Sequence, residues 1–100
     1  MAIIEVSIIP VGPGTPSLSK QVSRALNVLE RQKDVKYQLT PMGTIVEGDL
    51  DKVLNVVRQM HESGFDESVQ RVLTTITIDD RRDKIATMAD KVSSVQSKLR

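Results

Sequence analysis

The 100-residue chain has no cysteine, no tryptophan, a single histidine (His61), and only Tyr37 and Phe65 from the large aromatic class. Without cysteine there is no disulfide, no thiolate zinc site and no thiol nucleophile. Two aromatic rings are too few for the stacking platform with which an open sheet binds single-stranded nucleic acid. Charge of one sign is lacking too: 14 Lys plus Arg against 13 Asp plus Glu leave +1. That balance offers no electrostatic case for nucleic acid or an anionic membrane as partner. No apolar run approaches the length of a membrane span. Met1 to Glu5 lacks the basic region and apolar run of a signal peptide, so the expected compartment is the cytoplasm.

What is present fits one globular domain spanning residues 1–100, with a hydrophobic share of 39% and a charged share of 27%. Residues Ile3 to Ile9 alternate, with Ile4, Val6 and Ile8 on one face and Ile3, Glu5, Ser7 and Ile9 on the other. Period two and β-branching predict a strand whose first face meets helices. The loop from Pro10 to Pro16 follows, and Thr15 or Ser17 is placed to cap a helix near 17–32 bearing Leu18, Val22, Ala25, Leu26 and Leu29. Lys36–Thr40 and Thr44–Gly48 read as a hairpin around Pro41-Met42-Gly43. Asp49 then caps a second helix near 50–62 with Leu50, Val53, Leu54, Val57 and Met60 as its stripe, and Gly64 marks its end. Val69–Asp79 reads as a fourth strand, and Ile85, Met88, Ala89, Val92, Val95 and Leu99 mark a third helix whose stripe is expected to be buried. The order is β-α-β-β-α-β plus a helix. This is the ferredoxin-like α+β arrangement, an antiparallel sheet with helices on one face and the other left open. A domain of this size with apolar residues left on the open face and the last helix is expected to self-associate.

Four groups of residues are candidates for chemistry. Gly12-Pro13-Gly14 before a helix could present backbone N–H groups to phosphate, but no P-loop lysine follows in register, which favours an ordinary turn. Glu5 and Glu47 fall on strands that are central neighbours in this topology. If both face the open side with Ser7, Thr75 and Thr77, they make a polar pocket suited to a cationic or amine-bearing ligand. The alternative is solvated carboxylates on an exposed face. Asp79-Asp80-Arg81-Arg82-Asp83 could form an anion or metal site, but its nearly cancelling charges favour a self-neutralising turn with an Asp capping the last helix, and Arg71 reads as a member of a salt bridge. His61 has no Asp or Ser spaced around it as a triad, and no metal-ligand cluster is visible.

Three segments carry a resemblance: Glu5-Val6-Ser7-Ile8-Ile9-Pro10; Tyr37-Gln38-Leu39-Thr40-Pro41-Met42-Gly43-Thr44-Ile45-Val46-Glu47-Gly48; and Arg71-Val72 with Ile76-Thr77-Ile78-Asp79-Asp80-Arg81-Arg82. Together they resemble the small thiamine-binding protein family over nearly the whole chain. The resemblance implies a ferredoxin-like fold with a C-terminal helix, assembled as a dimer or as a homotetramer. It also implies non-catalytic binding of thiamine or its hydroxymethylpyrimidine moiety, as carrier, buffer or sensor, with no further cofactor. The ligand-binding residues it suggests are Ser7, Thr44 and Glu47, to which the carboxylate-pair reading adds Glu5. Met42 or Tyr37 could lie against a ring. On this reading Glu47→Gln weakens thiamine about ten- to a hundredfold. The alternative from a different class is a structural or regulatory oligomerisation module with no small ligand. An enzyme ranks last, for want of a nucleophile or an oriented base.

Overall fold

The computed structural model describes residues 1–12, 18–84 and 87–99, the side chains of Leu18 and Ser19 excepted. The elements run β1 (Ala2–Pro10), α1 (Leu18–Glu30), β2 (Lys36–Thr40), β3 (Gly43–Gly48), α2 (Leu50–Glu62), β4 (Val72–Asp80) and α3 (Met88–Gln96). The four strands form one antiparallel sheet in the order β2-β3-β1-β4. This is the ferredoxin-like α+β fold expected from the element order. The expected caps at Thr15 and Ser17, the glycine loop beyond Gly12, and Ile85 lie outside the described residues.

The period-two pattern of β1 decides the two faces. Ile4 and Val6 point toward α1 and α2, pack with Val46 of β3, and close a core with Ala25, Val28, Leu29, Val53, Val56, Val57 and Met60. Ile4, Leu29 and Met60 are among the largest fully buried side chains. Burial of each contributes roughly 1.5–3 kcal/mol. Leu54, expected in the buried stripe of α2, is exposed, and Val56 takes its place. The burial arc of α2 is therefore centred on Val53, Val56, Val57 and Met60, one position round the helix from the expected stripe. The fourth strand starts at Val72 rather than Val69. Val69 is buried in the preceding loop, where its N–H reaches the Asp66 carboxylate at 2.9 Å.

That loop is fastened to α1. Arg24 Nη1 donates to Asp66 Oδ2 at 2.8 Å, and Ser68 gives Asp66 Oδ1 both its N–H and its hydroxyl. The guanidinium first, then the Ser68 donors, hold the Asp66 carboxyl well below the usual carboxylate range against a desolvation effect that opposes them.

The third helix departs from expectation. Its cap is Thr87, whose hydroxyl accepts from Asp90 N–H while the Asp90 carboxylate accepts from Thr87 N–H, a complete capping box. None of the aspartates in the 79–83 turn caps it. No residue of α3 is buried; Val92 is 50% exposed, and Val95 and Leu99 more so. Within one chain its apolar stripe covers nothing, because the helix leaves the sheet after its first turn. Two contacts anchor that turn. Glu47 Oε2 accepts the Met88 N–H at 2.8 Å, and Lys91 pairs with Asp79. Met88 N–H is one of the donors a helix start cannot satisfy internally, and a carboxylate there also complements the positive end of the helix dipole.

Two predictions follow from these anchors. Because the Asp66 carboxyl is depressed only in the folded chain, its contribution is fully present above the unfolded value of about 3.9. The contribution disappears as pH falls through that value toward the lower folded one. Melting curves from pH 6 to pH 2 should show Asp66→Asn less stable than the parent at pH 6, the gap closing in acid. Glu47→Ala should lose roughly 1.5–3 kcal/mol and speed amide exchange in the first turn of α3, whereas Val92→Asp in the isolated chain should shift stability by no more than about 0.5 kcal/mol.

Candidate functional site

A cavity of about 290 Å3 lies between helix and sheet, under the first half of α1. Its floor is the helix-facing side of β1 and β3, with Val6, Ile8 and Thr44. Gln21, Val22 and Ala25 of α1 form one wall, Met60 of α2 closes the inner end, and the β2–β3 turn with Leu39, Pro41 and Met42 makes the rim. Local sequence explains the space. Ala25 has little side chain to fill it, and Gly43 has none. A Cβ on Gly43 would stand 2.8 Å from the Val6 carbonyl oxygen, so only glycine lets the turn approach β1 this closely. Thr40 fixes the turn, its hydroxyl donating to Gly43 O at 2.8 Å and accepting from Gly43 N–H at 3.1 Å.

Within this apolar enclosure one group is out of balance. Gln21 is 3% exposed, and neither its Nε2 nor its Oε1 has a hydrogen-bond partner among the described residues. An unmet buried amide costs about 1–3 kcal/mol, and native structures rarely leave one. The carboxamide offers two N–H donors and a carbonyl acceptor to whatever fills the space. Thr44, also buried, lies on the floor of the same cavity. None of the described lining residues is charged.

The residues expected at the site divide between the two faces of the sheet. Thr44 is in the cavity, and the Ser7 stretch of β1 borders it, with Val6 and Ile8 presenting their side chains. The Ser7 side chain belongs to the opposite, open face, opposite Thr75, and Glu5 lies there opposite Thr77 and Ile45. Glu47 faces that side as well, opposite Ile3, but two positions further along and beneath the first turn of α3. Glu5, Ser7, Thr75 and Thr77 thus form the polar row that alternation suggests, while Thr44 is separated from them by the thickness of the sheet. Glu47 is 5% exposed with one oxygen committed to α3. Leu39 and Met42 rim the cavity; Tyr37 is not among its lining residues.

The sequence reading missed Gln21. The signal was available: Gln21, Ala25 and Val28 recur at i, i+4 and i+7, a buried helical face with one polar member. Two of the remaining candidates, His61 and the 79–83 turn, have partners within the fold. His61 Nδ1 is 2.6 Å from the Thr74 hydroxyl and its ring meets Phe65 edge-on. Arg81 pairs with Asp83 and Arg82 with Asp80, all at the surface, a turn that neutralises itself. Among the described residues no cluster of three potential ligand side chains could hold a metal ion, and no helix is long and apolar enough to cross a membrane.

Comparison with known proteins bears on this geometry. The chain is 45% identical over 102 residues to the UPF0045 protein YqgV of Bacillus subtilis, covering 99% of this chain and 98% of that protein. It is 39% identical over 100 residues to a UPF0045 protein of Methanothermobacter thermautotrophicus, covering 99% and 100%. Among solved structures, the hypothetical protein MJ1052 of Methanocaldococcus jannaschii superposes with a TM-score of 0.84 at 38% identity, over 95% of each chain. A putative thiamine biosynthesis/salvage protein of Thermotoga maritima shares the fold, with a TM-score of 0.76 at 21% identity over 94% of this chain and 97% of that one. The family model described as "Thiamine-binding protein" matches residues 4–96, so this chain belongs to the thiamine-binding protein family.

Proposed function

We propose that the protein binds thiamine or its hydroxymethylpyrimidine moiety without catalysing a reaction, as a carrier, buffer or sensor, and that the ligand enters the cavity beneath α1. The observation that carries this reading is the buried, unpartnered Gln21 carboxamide. An aminopyrimidine presents a ring nitrogen acceptor beside an exocyclic amine donor. A carboxamide matches that edge with two bonds at once, N–H to ring nitrogen and C=O from amine, as Asn and Gln do with adenine. Thr44, on the floor of the same cavity, adds a third from its hydroxyl in this reading. The apolar walls suit the faces of a flat ring, and a volume of about 290 Å3 stands near the lower bound of small-molecule pockets, roughly 300 Å3. A thiazolium cation would find no carboxylate among the described lining residues. The pyrimidine is therefore the part held inside, with the thiazolium directed to the rim at Pro41 and Met42. Among the described lining residues there is likewise no charged side chain to act as general acid or base at the ring, which supports binding over catalysis.

Glu5, Ser7 and Glu47 enter this proposal on the open face, where they bear on assembly and on the seating of α3 rather than on the ring. A homo-oligomer accompanies the reading, since the exposed stripe Val92, Val95 and Leu99 on an anchored helix favours a protein surface against it.

Titration calorimetry with hydroxymethylpyrimidine and with thiamine tests the proposal. Gln21→Leu should weaken both by about 1–3 kcal/mol, roughly five- to a hundredfold. The same variant should melt at or above the temperature of the unliganded parent, because a buried unmet amide has been removed. Equal affinity in parent and variant would take Gln21 out of the site. A folded parent that binds neither compound would end the ligand assignment.

A further inference from the structure

The fold treats two carboxamides of the α1 segment in opposite ways. Just beyond the helix, Gln32 Nε2 donates to Val28 O at 3.2 Å, a bond that fixes which side of the amide carries its nitrogen. Gln21 has no such bond. It is 3% exposed, and neither its Nε2 nor its Oε1 has a partner among the described residues. The last torsion of a glutamine is broad and roughly twofold, so a half-turn exchanges nitrogen and oxygen in nearly the same place. The Thr44 hydroxyl on the cavity floor is likewise unengaged among the described residues, and a hydroxyl rotates to donate or to accept. The Thr40 hydroxyl is the contrast, held in the turn by Gly43 O and by the N–H groups of Met42 and Gly43. None of the described lining side chains is charged, so no carboxylate restricts the cavity to accepting and no guanidinium or ammonium restricts it to donating.

We infer that the cavity reads an adjacent donor–acceptor pair on a ring without reading its polarity, and so takes pyrimidinones as well as aminopyrimidines; this rests on the placement of the pyrimidine beside Gln21 proposed above. In an aminopyrimidine the ring nitrogen accepts and the exocyclic amine donates. In the counterpart with a carbonyl in place of the amine, the ring N–H donates and the carbonyl oxygen accepts. The two edges have the same shape and opposite sense. One orientation of the Gln21 carboxamide meets the first edge with two bonds, and the half-turned orientation meets the second with two. Thr44 follows by rotating its hydroxyl. A site whose donors and acceptors are fixed rejects the wrong edge because buried groups are then left unpaired, a discrimination of roughly ten-thousandfold or more. Here neither edge leaves the carboxamide unpaired, and no bond to the protein has to be broken before it turns. The ligand class is thus a small flat pyrimidine carrying either an amine or a carbonyl beside a ring nitrogen.

Calorimetric titration of the full chain with three probes tests this: hydroxymethylpyrimidine, its counterpart with a carbonyl in place of the amine, and its counterpart with hydrogen at that position. The first two should bind with affinities within about tenfold of each other. The third should bind at least about fivefold more weakly than either, because one end of the carboxamide stays unmet. Gln21→Leu should weaken the first two alike and leave their ratio within about threefold of the parent's. A preference above about tenfold for the amine or for the carbonyl overturns the inference and leaves the proposed function standing. It would mean that a group of fixed sense reads the edge, such as the main chain of Ser7 or Ile8 beyond the last β1–β3 pair, Val6↔Thr44. A third probe that binds as well as the others also overturns it, as does a Gln21→Leu variant that weakens only one ligand or neither. A folded parent that binds none of the three ends both the inference and the reading on which it rests.

Discussion

β1 is hydrogen-bonded on both sides, to β3 and to β4, and its side chains alternate without a break from Ala2 to Pro10. Every other feature depends on that alternation. Ile4 and Val6 commit one face to the helices; Glu5 and Ser7 commit the other to solvent or to a partner. Because both neighbours are antiparallel and in fixed register, the parity of β1 is transmitted across the sheet. Thr44 is tied to the Val6 side and Glu47 to the Ile3 side. A slip of one residue would bury Glu5 and expose Ile4, and a charge buried without a partner is among the largest single penalties a small fold can meet.

Against this rigid sheet, α1 leaves a gap. The core is packed at Val28 and Leu29, but near the start of the helix Ala25 and the glycine of the β2–β3 turn leave a volume that no described side chain fills. Into this gap the chain puts a carboxamide with no hydrogen-bond partner among the described residues. Both features oppose stability, the cavity through lost dispersion contacts and the amide through lost hydration. Local choices that contradict the rest of a fold concentrate at functional sites. Here the two contradictions coincide at one place, the cavity to which we assign the proposed ligand.

The open side follows a different logic. Its polar row, its exposed edge strand and the projecting α3 are left uncovered by the described residues of the chain. Glu47 belongs to this side. Its carboxylate meets the first backbone N–H of α3, so the strand that carries the most family-like segment also holds the helix that extends beyond the sheet.

Much of this was legible in the residues. Period two in β1 and β4, helical spacing in α1 and α2, and the Thr-Pro-Met-Gly turn specify the element order, and the order with antiparallel pairing specifies the ferredoxin-like fold. These are local patterns, each set by which side chains a strand or helix can place on one face. The side of the sheet on which Glu47 stands required the register with β1, a contact more than forty residues away in sequence. The burial of Val56 in place of Leu54 required the rotation of α2 on the sheet. The exposure of Val92 required knowing that α3 leaves the sheet, which its own amphipathic spacing does not encode. The isolation of Gln21 required the cavity, a sum of volumes from α1, α2, β1, β3 and a turn. The sequence by itself determined the elements, their order and the inward face of β1, because periodicity is a property of neighbouring residues. Only the tertiary structure decided which polar groups are left without partners, because that depends on distances between segments remote along the chain.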